Sequence, residues 1–350
     1  MSDIKDFLSE IEDEYTTLAD EALGAAEFTG YIDTGCYILN ALLSGSIFGG
    51  LPNNKVAAIA GESSTGKTYI ALGIVKNFLE QHQNGWVIYY DTEAAVTKDM
   101  MTERGIDPKR VIIAEPETVQ KFRTHCIKVI DKYMEMKEKD RVPMMLVLDS
   151  LGMLSTSKEV EDSTEGKETR DMTRASTIRG AFRILRLKLG KARVPMIVTN
   201  HTYQGMGLFP TTEMAGGGGL KYAADSILML GKSKDKDGKE VVGNFIRGKM
   251  FKSRLSKENA EAKMRLSYTT GLDKYYGLLD LAEKYGVIKK VATRYEMPDG
   301  TKVFEKAIYQ TPEKYFTNEI LQELDKAAAK EFKYGGNKTE AVEEEETEVE

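Results

Sequence analysis

The stretch from Gly61 to Thr68, GESSTGKT, has the spacing G-x-x-x-x-G-K-[ST] of a phosphate-binding loop. An apolar segment, Val56 to Ala60, precedes it and a helix-forming segment follows, which is the context that such a loop requires. Its glycines let backbone N–H groups turn toward phosphate oxygens, and the helix directs the positive end of its dipole to the same point. The pattern therefore predicts a nucleotide phosphate site.

The residue types in this loop predict individual roles. Lys67 is expected to bridge the β- and γ-phosphates, and the hydroxyl of Thr68 to ligate Mg²⁺. The predicted nucleotide contacts in and after the loop are Gly61, Glu62, Ser63, Ser64, Thr65, Gly66, Lys67, Thr68 and Tyr69.

Acidic and polar residues follow other apolar segments. Asp149 ends MMLVLD, where a carboxylate would hold the water shell of Mg²⁺. Asp91 and Glu93 follow WVIYY, and a carboxylate there could orient or deprotonate an attacking water. Asn200 and His201 follow VPMIVT. Because ligands bind at the carboxyl edge of a parallel sheet, we expect these side chains to lie near the phosphate loop.

The elements that must position these residues alternate along the chain. Apolar runs at 86–90, 110–114, 144–148, 194–199 and 226–230 fit buried strands, with helix-length segments between most of them. This alternation predicts an α/β fold with a mostly parallel central sheet that is covered on both faces.

The pattern changes after residue 231. We expect a charged turn, KSKDKDGKE, and then two antiparallel strands, NFIRGKMFKSRLS and AKMRLSYTT. A helix closed by Gly286, a hairpin about Asp299 and Gly300, and a last helix at 313–332 follow. The predicted organisation is an acidic N-terminal helical segment for oligomerisation (1–30), the core (31–270), a small α+β C-terminal domain (271–334) and a disordered acidic tail (335–350).

Composition limits the class of protein. The chain has 41% hydrophobic and 30% charged residues, and no apolar run reaches the roughly 18 residues of a membrane span. The acidic start lacks the features of a secretory signal, so we expect a cytoplasmic protein without a membrane partner. Residues 22–339 hold 48 Lys and Arg against 40 Asp and Glu, which suits binding to a polyanion but equally a solvated surface.

Two stretches without a regular pattern are candidate DNA-binding loops. The first, at about 152–172, is expected to be structureless and leads into an arginine-rich helical segment. The second, at about 203–219, carries apolar side chains between glycines that could stack on bases, and its glycine run would act as a hinge facing phosphates. A solvated helix face and a loop packed on its own domain are the alternatives. The candidate DNA contacts are Arg170, Arg174, Arg179, Arg183, Tyr203, Met206, Phe209, Gly216, Gly217, Gly218 and Gly219.

Three long segments resemble the RecA-type recombinases, most closely the bacteriophage UvsX branch. They begin at IDTGCYILN, at LDSLGMLSTSKEV and at TNHTYQGMG, and the likeness runs from about Tyr31 to Gly286. The resemblance implies a RecA-like P-loop NTPase core and a DNA-dependent ATPase that uses ATP and Mg²⁺. It also implies a helical homo-oligomeric filament on single-stranded DNA, which pairs with homologous double-stranded DNA and exchanges strands in recombination, repair and recombination-dependent replication.

The resemblance also implies roles for single residues. Glu93 falls where the family has its catalytic glutamate, and His201 where a polar residue senses the γ-phosphate and signals to the second loop. Lys252 and Arg254 fall near cationic residues that reach the ATP of the neighbouring subunit. Bacterial members stack an aromatic residue on adenine after the catalytic glutamate, where this sequence offers Thr97 and Met100 instead, and Met100 is the expected nucleotide contact.

The resemblance further places the segment from Tyr31 to Leu43 where subunits join, and it implies a single-strand-binding protein and a loading mediator as partners. A phage origin would make the location the host cytoplasm. Three other functions stay open on the residues alone: a ring-forming DNA helicase, a small-molecule phosphotransferase, and a nucleotide-gated filament or mediator without significant catalysis.

Overall fold

The helices and strands are taken from a computed structural model, which describes residues 27–167, 171–205, 212–216 and 218–335. The predicted N-terminal helix, Arg170, Met206, Phe209, Gly217 and the acidic tail from residue 336 lie outside the described residues. The strands are β1 (Tyr31–Ile32), β2 (Leu51–Pro52), β3 (Val56–Gly61), β4 (Trp86–Asp91), β5 (Val111–Ala114), β6 (Met144–Asp149), β7 (Met196–Gln204), β8 (Thr212–Met214), β9 (Ser226–Asp237), β10 (Glu240–Ser253), β11 (Glu261–Ser267), β12 (Gly271–Leu272), β13 (Lys289–Val291), β14 (Arg294–Glu296) and β15 (Lys302–Phe304). The helices are α1 (Tyr37–Ser44), α2 (Lys67–Gln81), α3 (Lys98–Glu103), α4 (Val119–Glu135), α5 (Ser157–Thr164), α6 (Arg174–Ala192), α7 (Gly219–Ala223), α8 (Leu278–Lys284), α9 (Glu305–Gln310), α10 (Pro312–Tyr315) and α11 (Asn318–Phe332).

One large sheet organises the described residues. Its strand order is β12-β11-β10-β9-β3-β7-β6-β4-β5, and β8 pairs with the end of β7. The strands from β9 to β5 in this order run parallel, and β10, β11 and β12 extend the sheet with antiparallel pairs. The predicted α/β fold with a mostly parallel central sheet is confirmed.

Both faces of the parallel strands are buried. Along β3, Val56 and Ala58 face one hydrophobic cluster, which α4, α6 and α7 cover. Ala57 and Ile59 face the other, to which α1, α2 and the C-terminal helices contribute. Continuous apolar runs instead of alternating ones are therefore required in these strands, which is why they were recognisable in the sequence.

The first candidate loop is not structureless, so that prediction is wrong. It contains α5, whose start is fixed by a capping box: the Thr156 hydroxyl accepts from the Glu159 N–H, and the Glu159 carboxylate accepts from the Thr156 N–H. Thr156 also donates to Asp171 over 2.6 Å, which ties the two ends of the segment together. The helix has few apolar residues and so no clear 3.6-residue period, but its T-x-x-E spacing was a readable signal.

The charged turn after residue 231 was also predicted wrongly. β9 continues to Asp237, and the chain reverses at Gly238, which has φ 61°. Charged residues can form these strands because one face of this antiparallel extension is exposed.

The C-terminal segment follows the prediction in part. Gly286 closes α8 with φ 71°, and β14 and β15 form the hairpin about Asp299 and Gly300. The expected last helix is broken into α10 and α11, because Thr317 caps a new helix start by accepting from the Ile320 N–H. The boundary at residue 271 stays a prediction.

Helix α1 lies within the chain's own core. Its residues Ile38 to Leu43 are buried, and they share one hydrophobic cluster with C-terminal residues such as Leu278, Phe316 and Leu324. This part of the segment that was expected to join subunits therefore packs inside its own chain. Tyr31, which is half-buried, lies closer to the surface.

Candidate functional site

The phosphate loop connects the end of β3 to the start of α2. Gly66 has φ 92° and Ser64 has φ 58°, so the backbone curls through left-handed conformations before the helix begins. A Cβ at Gly61 would lie 2.7 Å from the Thr65 Oγ1 and 2.9 Å from the Leu230 carbonyl oxygen. These neighbouring atoms leave no room for a side chain at position 61, so only glycine fits there.

Lys67 is held inside this loop. Its side chain is almost fully buried, and its Nζ donates to the carbonyl oxygens of Gly61 (3.0 Å) and Glu62 (2.8 Å). Burial lowers the pKa of Lys67, while the charges of Glu93 and Asp149 oppose that shift. The ammonium group is thus positioned within the loop, next to the two carboxylates.

Asp149 ends β6 beside the loop. Its carboxylate is buried, and it accepts hydrogen bonds from the Tyr89 hydroxyl (2.7 Å) and from the Thr199 hydroxyl. Two neighbouring strands therefore fix its orientation. Thr68, at the start of α2, lines the same cavity as Asp149. A hydroxyl and a carboxylate are hard oxygen donors that suit Mg²⁺ directly and through water.

Asp91 has a different task, although it lies next to Asp149 in the sheet. Its carboxylate accepts from the backbone N–H groups of Glu93 (3.1 Å) and Val96 (2.9 Å). It therefore shapes the turn that presents Glu93.

Glu93 is fixed by two hydrogen bonds to one oxygen. Its Oε1 lies 2.8 Å from the His201 Nε2 and accepts from the Ser150 hydroxyl over 2.8 Å. Burial would raise the pKa of Glu93, but the hydrogen bonds from His201 and Ser150 outweigh it, so the pKa lies below its usual value. The side chain is 31% exposed, so an ionised carboxylate is open to the cavity.

These residues surround a cavity of about 950 Å³. Of the predicted contacts, its lining includes Ser63, Ser64, Gly66, Lys67, Thr68, Tyr69, Glu93, Met100, Asp149 and His201. Gly61, Glu62 and Thr65 shape the loop behind that lining, where the Thr65 hydroxyl donates to the Glu62 carbonyl oxygen over 2.9 Å.

Sequence reasoning missed part of this wall. Arg104 follows α3, and Lys232, Asn244 and Tyr268 come from the antiparallel extension. Lys232 Nζ donates to the Ser64 carbonyl oxygen over 2.8 Å, which connects β9 to the phosphate loop. No local motif marks these residues, because strand pairing across the sheet brings them to the cavity.

His201 also contacts the second candidate loop. Its carbonyl oxygen accepts from the Ala215 N–H over 2.8 Å, and the Asn200 side-chain amide donates to the Ala215 carbonyl oxygen over 2.9 Å. β8 pairs antiparallel with the end of β7 just beyond this point. The residue that contacts Glu93 is therefore bonded directly to the loop.

The two candidate loops meet at a second cavity of about 520 Å³, whose lining includes Met172 and Arg174 from one loop region and Tyr203 and Gly216 from the other. Met172 is 84% and Tyr203 48% exposed, which is unusual for such large side chains. The Arg174 guanidinium donates to carbonyl oxygens in the turn after β6, so it orders that turn. Met172 was not singled out from the sequence.

The remaining predicted DNA contacts lie along α6 and α7. Arg179 and Arg183 are exposed, and the Arg179 guanidinium lies 5.5 Å from the ring centroid of Tyr222. A Cβ at Gly219 would lie 2.8 Å from the Ile178 Cγ2, so this glycine allows α7 to pack closely on α6. Gly216, with φ 77°, is in the left-handed region, and Gly218 is half-buried.

Lys252 and Arg254 lie at the opposite edge of the sheet. Lys252 is paired with Ile227 at the start of β9, and its Nζ donates to the Lys221 and Ala224 carbonyl oxygens (2.8 and 2.7 Å). The Arg254 Nε lies 3.3 Å from the Asp225 Oδ1. The fold of one chain does not bring either cation to Lys67, so their predicted contact with ATP requires a second copy.

Comparison with known proteins decides the family. The family model of the RecA N-terminal domain matches residues 2–273. The chain belongs to the RecA family. It is 32% identical over 293 residues to the recombination and repair protein of Enterobacteria phage T4, covering 83% of this chain and 73% of that protein. It is 26% identical over 322 residues to Protein RecA of Paenarthrobacter aurescens strain TC1, covering 88% and 85% of the two chains.

The family assignment agrees with the fold and with the arrangement of the phosphate loop. A third relative, Protein RecA of Arthrobacter sp. strain FB24, is 27% identical over 267 residues, with 74% of this chain and 70% of the relative covered. Across the described residues, every helix is too short or too polar to cross a membrane.

Proposed function

We propose that the chain is an ATP-dependent DNA recombinase, which forms a helical filament on single-stranded DNA and carries out homologous pairing and strand exchange. The observation that carries this proposal is the position of His201, which contacts Glu93 through its ring and Ala215 through its backbone. One residue thereby joins the nucleotide cavity to the exposed loops. Family membership supports the same function.

The nucleotide part of the proposal rests on donor chemistry. Backbone N–H groups of the curled loop and the Lys67 ammonium would bind the phosphates of ATP, and Thr68 would ligate Mg²⁺ directly. Asp149, already oriented by Tyr89 and Thr199, would hold the metal through water. When bound, Mg²⁺ neutralises charge on the phosphate oxygens.

Glu93 is the proposed general base. With its pKa below the ordinary glutamate value, the carboxylate is ionised at neutral pH, and an ionised carboxylate can accept a proton from water. His201 and Ser150 both contact Oε1, so Oε2 is the oxygen available to a water molecule. The Glu93 carboxylate, as the proposed base, lies 2.8 Å from the ring of His201, the residue that also contacts the loop.

Nucleotide binding would be coupled to DNA binding because the γ-phosphate and Glu93 would compete for His201. A γ-phosphate in the cavity offers His201 a second anionic partner besides Glu93, which would change the position of its ring. The Ala215 N–H is bonded to the same residue, so this movement would reach the loop that carries Tyr203 and Gly216. Exposed Met172 and Tyr203 could then stack on bases without reading their sequence.

Filament formation would complete the site. Lys252 and Arg254 cannot serve the cavity of their own chain, whereas a head-to-tail neighbour can present them. The finer partners, a single-strand-binding protein and a loading mediator, stay part of this proposal on the strength of family resemblance.

The test is ATP hydrolysis by the unaltered chain and by Glu93→Gln, each with and without single-stranded DNA. We expect DNA to stimulate the unaltered chain and Glu93→Gln to lose about 100-fold in kcat, since general-base catalysis contributes about that much. Glu103→Gln, an exposed change on α3, is the matched control and should be unaffected.

Each alternative predicts a different result. An ATP hydrolysis rate that does not depend on DNA would support a phosphotransferase. A rate that is unchanged in Glu93→Gln would show that Glu93 is not the general base. Electron microscopy with ATP and DNA should show helical filaments, and closed rings would favour the helicase.

A further inference from the structure

One wall of the nucleotide cavity is formed by an arginine stacked on a tyrosine. The Arg104 guanidinium carbon lies 3.9 Å from the ring centroid of Tyr69, and both side chains line the cavity. Met100 also lines it and stands four residues before Arg104, so the two project from the same side of α3 and its C-terminal end.

The Arg104 side chain has no hydrogen-bond or salt-bridge partner among the described residues. Its Nη1 is buried and donates to no acceptor there, and no carboxylate of the described residues pairs with the guanidinium. Arg110 shows what a structural arginine does nearby: it donates to the Gly85 carbonyl oxygen over 2.9 Å and to the Leu79 carbonyl oxygen over 3.0 Å. Burying part of a cation without hydrogen bonds has an unfavourable free energy. A contact with a ligand therefore explains the position of the Arg104 guanidinium better than a structural role does.

The position of the pair points to the base of the nucleotide. The phosphate loop and Lys67 already supply donors for the phosphates. Tyr69 stands two residues beyond Lys67 on α2, so the stacked pair lies beside the phosphate loop along the cavity wall. A guanidinium group is planar and weakly hydrated, and it stacks on aromatic rings. Tyr69 covers one face of Arg104, which leaves its second face for another flat group.

We propose that Arg104, supported by Tyr69, is the surface on which the purine base of the nucleotide stacks. Arg104 is thereby a base-binding residue of the site, and this inference rests on the proposed ATPase function. Stacking does not read the exocyclic groups of a base. The chain should therefore bind GTP within about tenfold of its affinity for ATP.

Equilibrium binding with three probes tests this role: a non-hydrolysable ATP analogue, its GTP counterpart, and inorganic triphosphate, which has no base. Arg104→Ala should weaken the binding of both nucleotides about tenfold, which is the loss expected for one stacking contact. The same variant should bind inorganic triphosphate as tightly as the unaltered chain does. Arg104→Lys keeps the charge but loses the planar face, so it should resemble Arg104→Ala. Lys109→Ala removes an exposed charge from the next turn and should bind like the unaltered chain.

Other outcomes would overturn the inference. An equal loss for inorganic triphosphate, with recovery in Arg104→Lys, would make Arg104 a phosphate contact. Unchanged nucleotide binding in Arg104→Ala would remove it from the site. Failure of the unaltered chain to bind any of the three probes would instead overturn the nucleotide site itself. Thermal unfolding of each variant shows whether a loss of nucleotide binding reflects misfolding. If Arg104→Ala is misfolded, nucleotide binding by Arg104→Lys, the milder change, decides whether Arg104 stacks on the base.

Discussion

The two edges of the central sheet differ in how their charged groups are used. At the carboxyl edge, Lys67, Glu93, Asp149 and His201 converge on one cavity. At the amino edge, Arg186 and Arg254 contact the single carboxylate of Asp225, at 3.0 and 3.3 Å. One edge has a cavity with charges of both signs around it, and the other has cations held away from any nucleotide of the same chain.

The difference indicates that two copies of the chain would contribute different groups to one nucleotide site. The carboxyl edge takes these four groups from one chain: Glu93, Asp149 and His201 lie at the carboxyl ends of neighbouring strands, and Lys67 lies at the start of α2. The amino edge has an excess of positive charge: Lys55 and Lys252 also lie near Asp225, and burial first and then the neighbouring cations lower the pKa of Lys252 while Asp225 opposes the shift. A second anion, such as the triphosphate of an adjacent subunit, would stabilise that cluster.

The largest expected effect is at the carboxyl edge. Lys67→Ala should reduce ATP hydrolysis to background, a loss of about 1000-fold, because it removes a buried cation that would stabilise charge on the transferred phosphate. Lys76 on the same helix is half-buried, and its ammonium forms a salt bridge with Glu80 over 3.1 Å, so Lys76→Ala is the matched control. Near-normal DNA-stimulated turnover in Lys67→Ala would contradict the site assignment.

A smaller effect is expected at the amino edge. Arg254→Ala should lower kcat about 100-fold with little change in ATP binding, less than the loss of a lone arginine finger because Lys252 remains beside it. The control is Lys326→Ala, an exposed change on α11.

Mixing two variants tests whether the contact is made between subunits. In a filament assembled from equal amounts of Arg254→Ala and Glu93→Gln, about one interface in four would combine an intact Glu93 with an intact Arg254. We therefore expect about a quarter of the normal rate, although each variant alone is nearly inactive. A mixture no faster than its components would show that the two residues do not act across an interface.

The smallest expected effect is a change in pH dependence. The Ser150 hydroxyl donates to Glu93 and helps to keep its pKa low. Ser150→Ala removes that bond, so the pKa of Glu93 should rise and the acid limb of the kcat profile should move to higher pH, by less than about one unit. Ser176→Ala, exposed on α6, should leave the profile in place. A shift to lower pH would contradict the assignment of Glu93 as the base.

Much of the carboxyl edge could be predicted because its signals are local. The phosphate loop is contiguous, and Asp149, Glu93 and His201 each follow an apolar strand whose end must lie at the same edge of a parallel sheet. Helix α5 was missed because capping, and not apolar periodicity, marks it. Arg104 was missed because its meaning depends on Tyr69, which is 35 positions earlier in the chain.

The sequence by itself determined the family, the α/β class and the groups that can contact phosphate, since these depend on short motifs and on the order of apolar segments. Only the tertiary structure decided where the remaining charges lie. Because β10 runs antiparallel to β9, it carries Asn244 to the nucleotide cavity and Lys252 to the opposite edge. Strand direction and register, which no local pattern encodes, thus separate residues of one strand between the two edges.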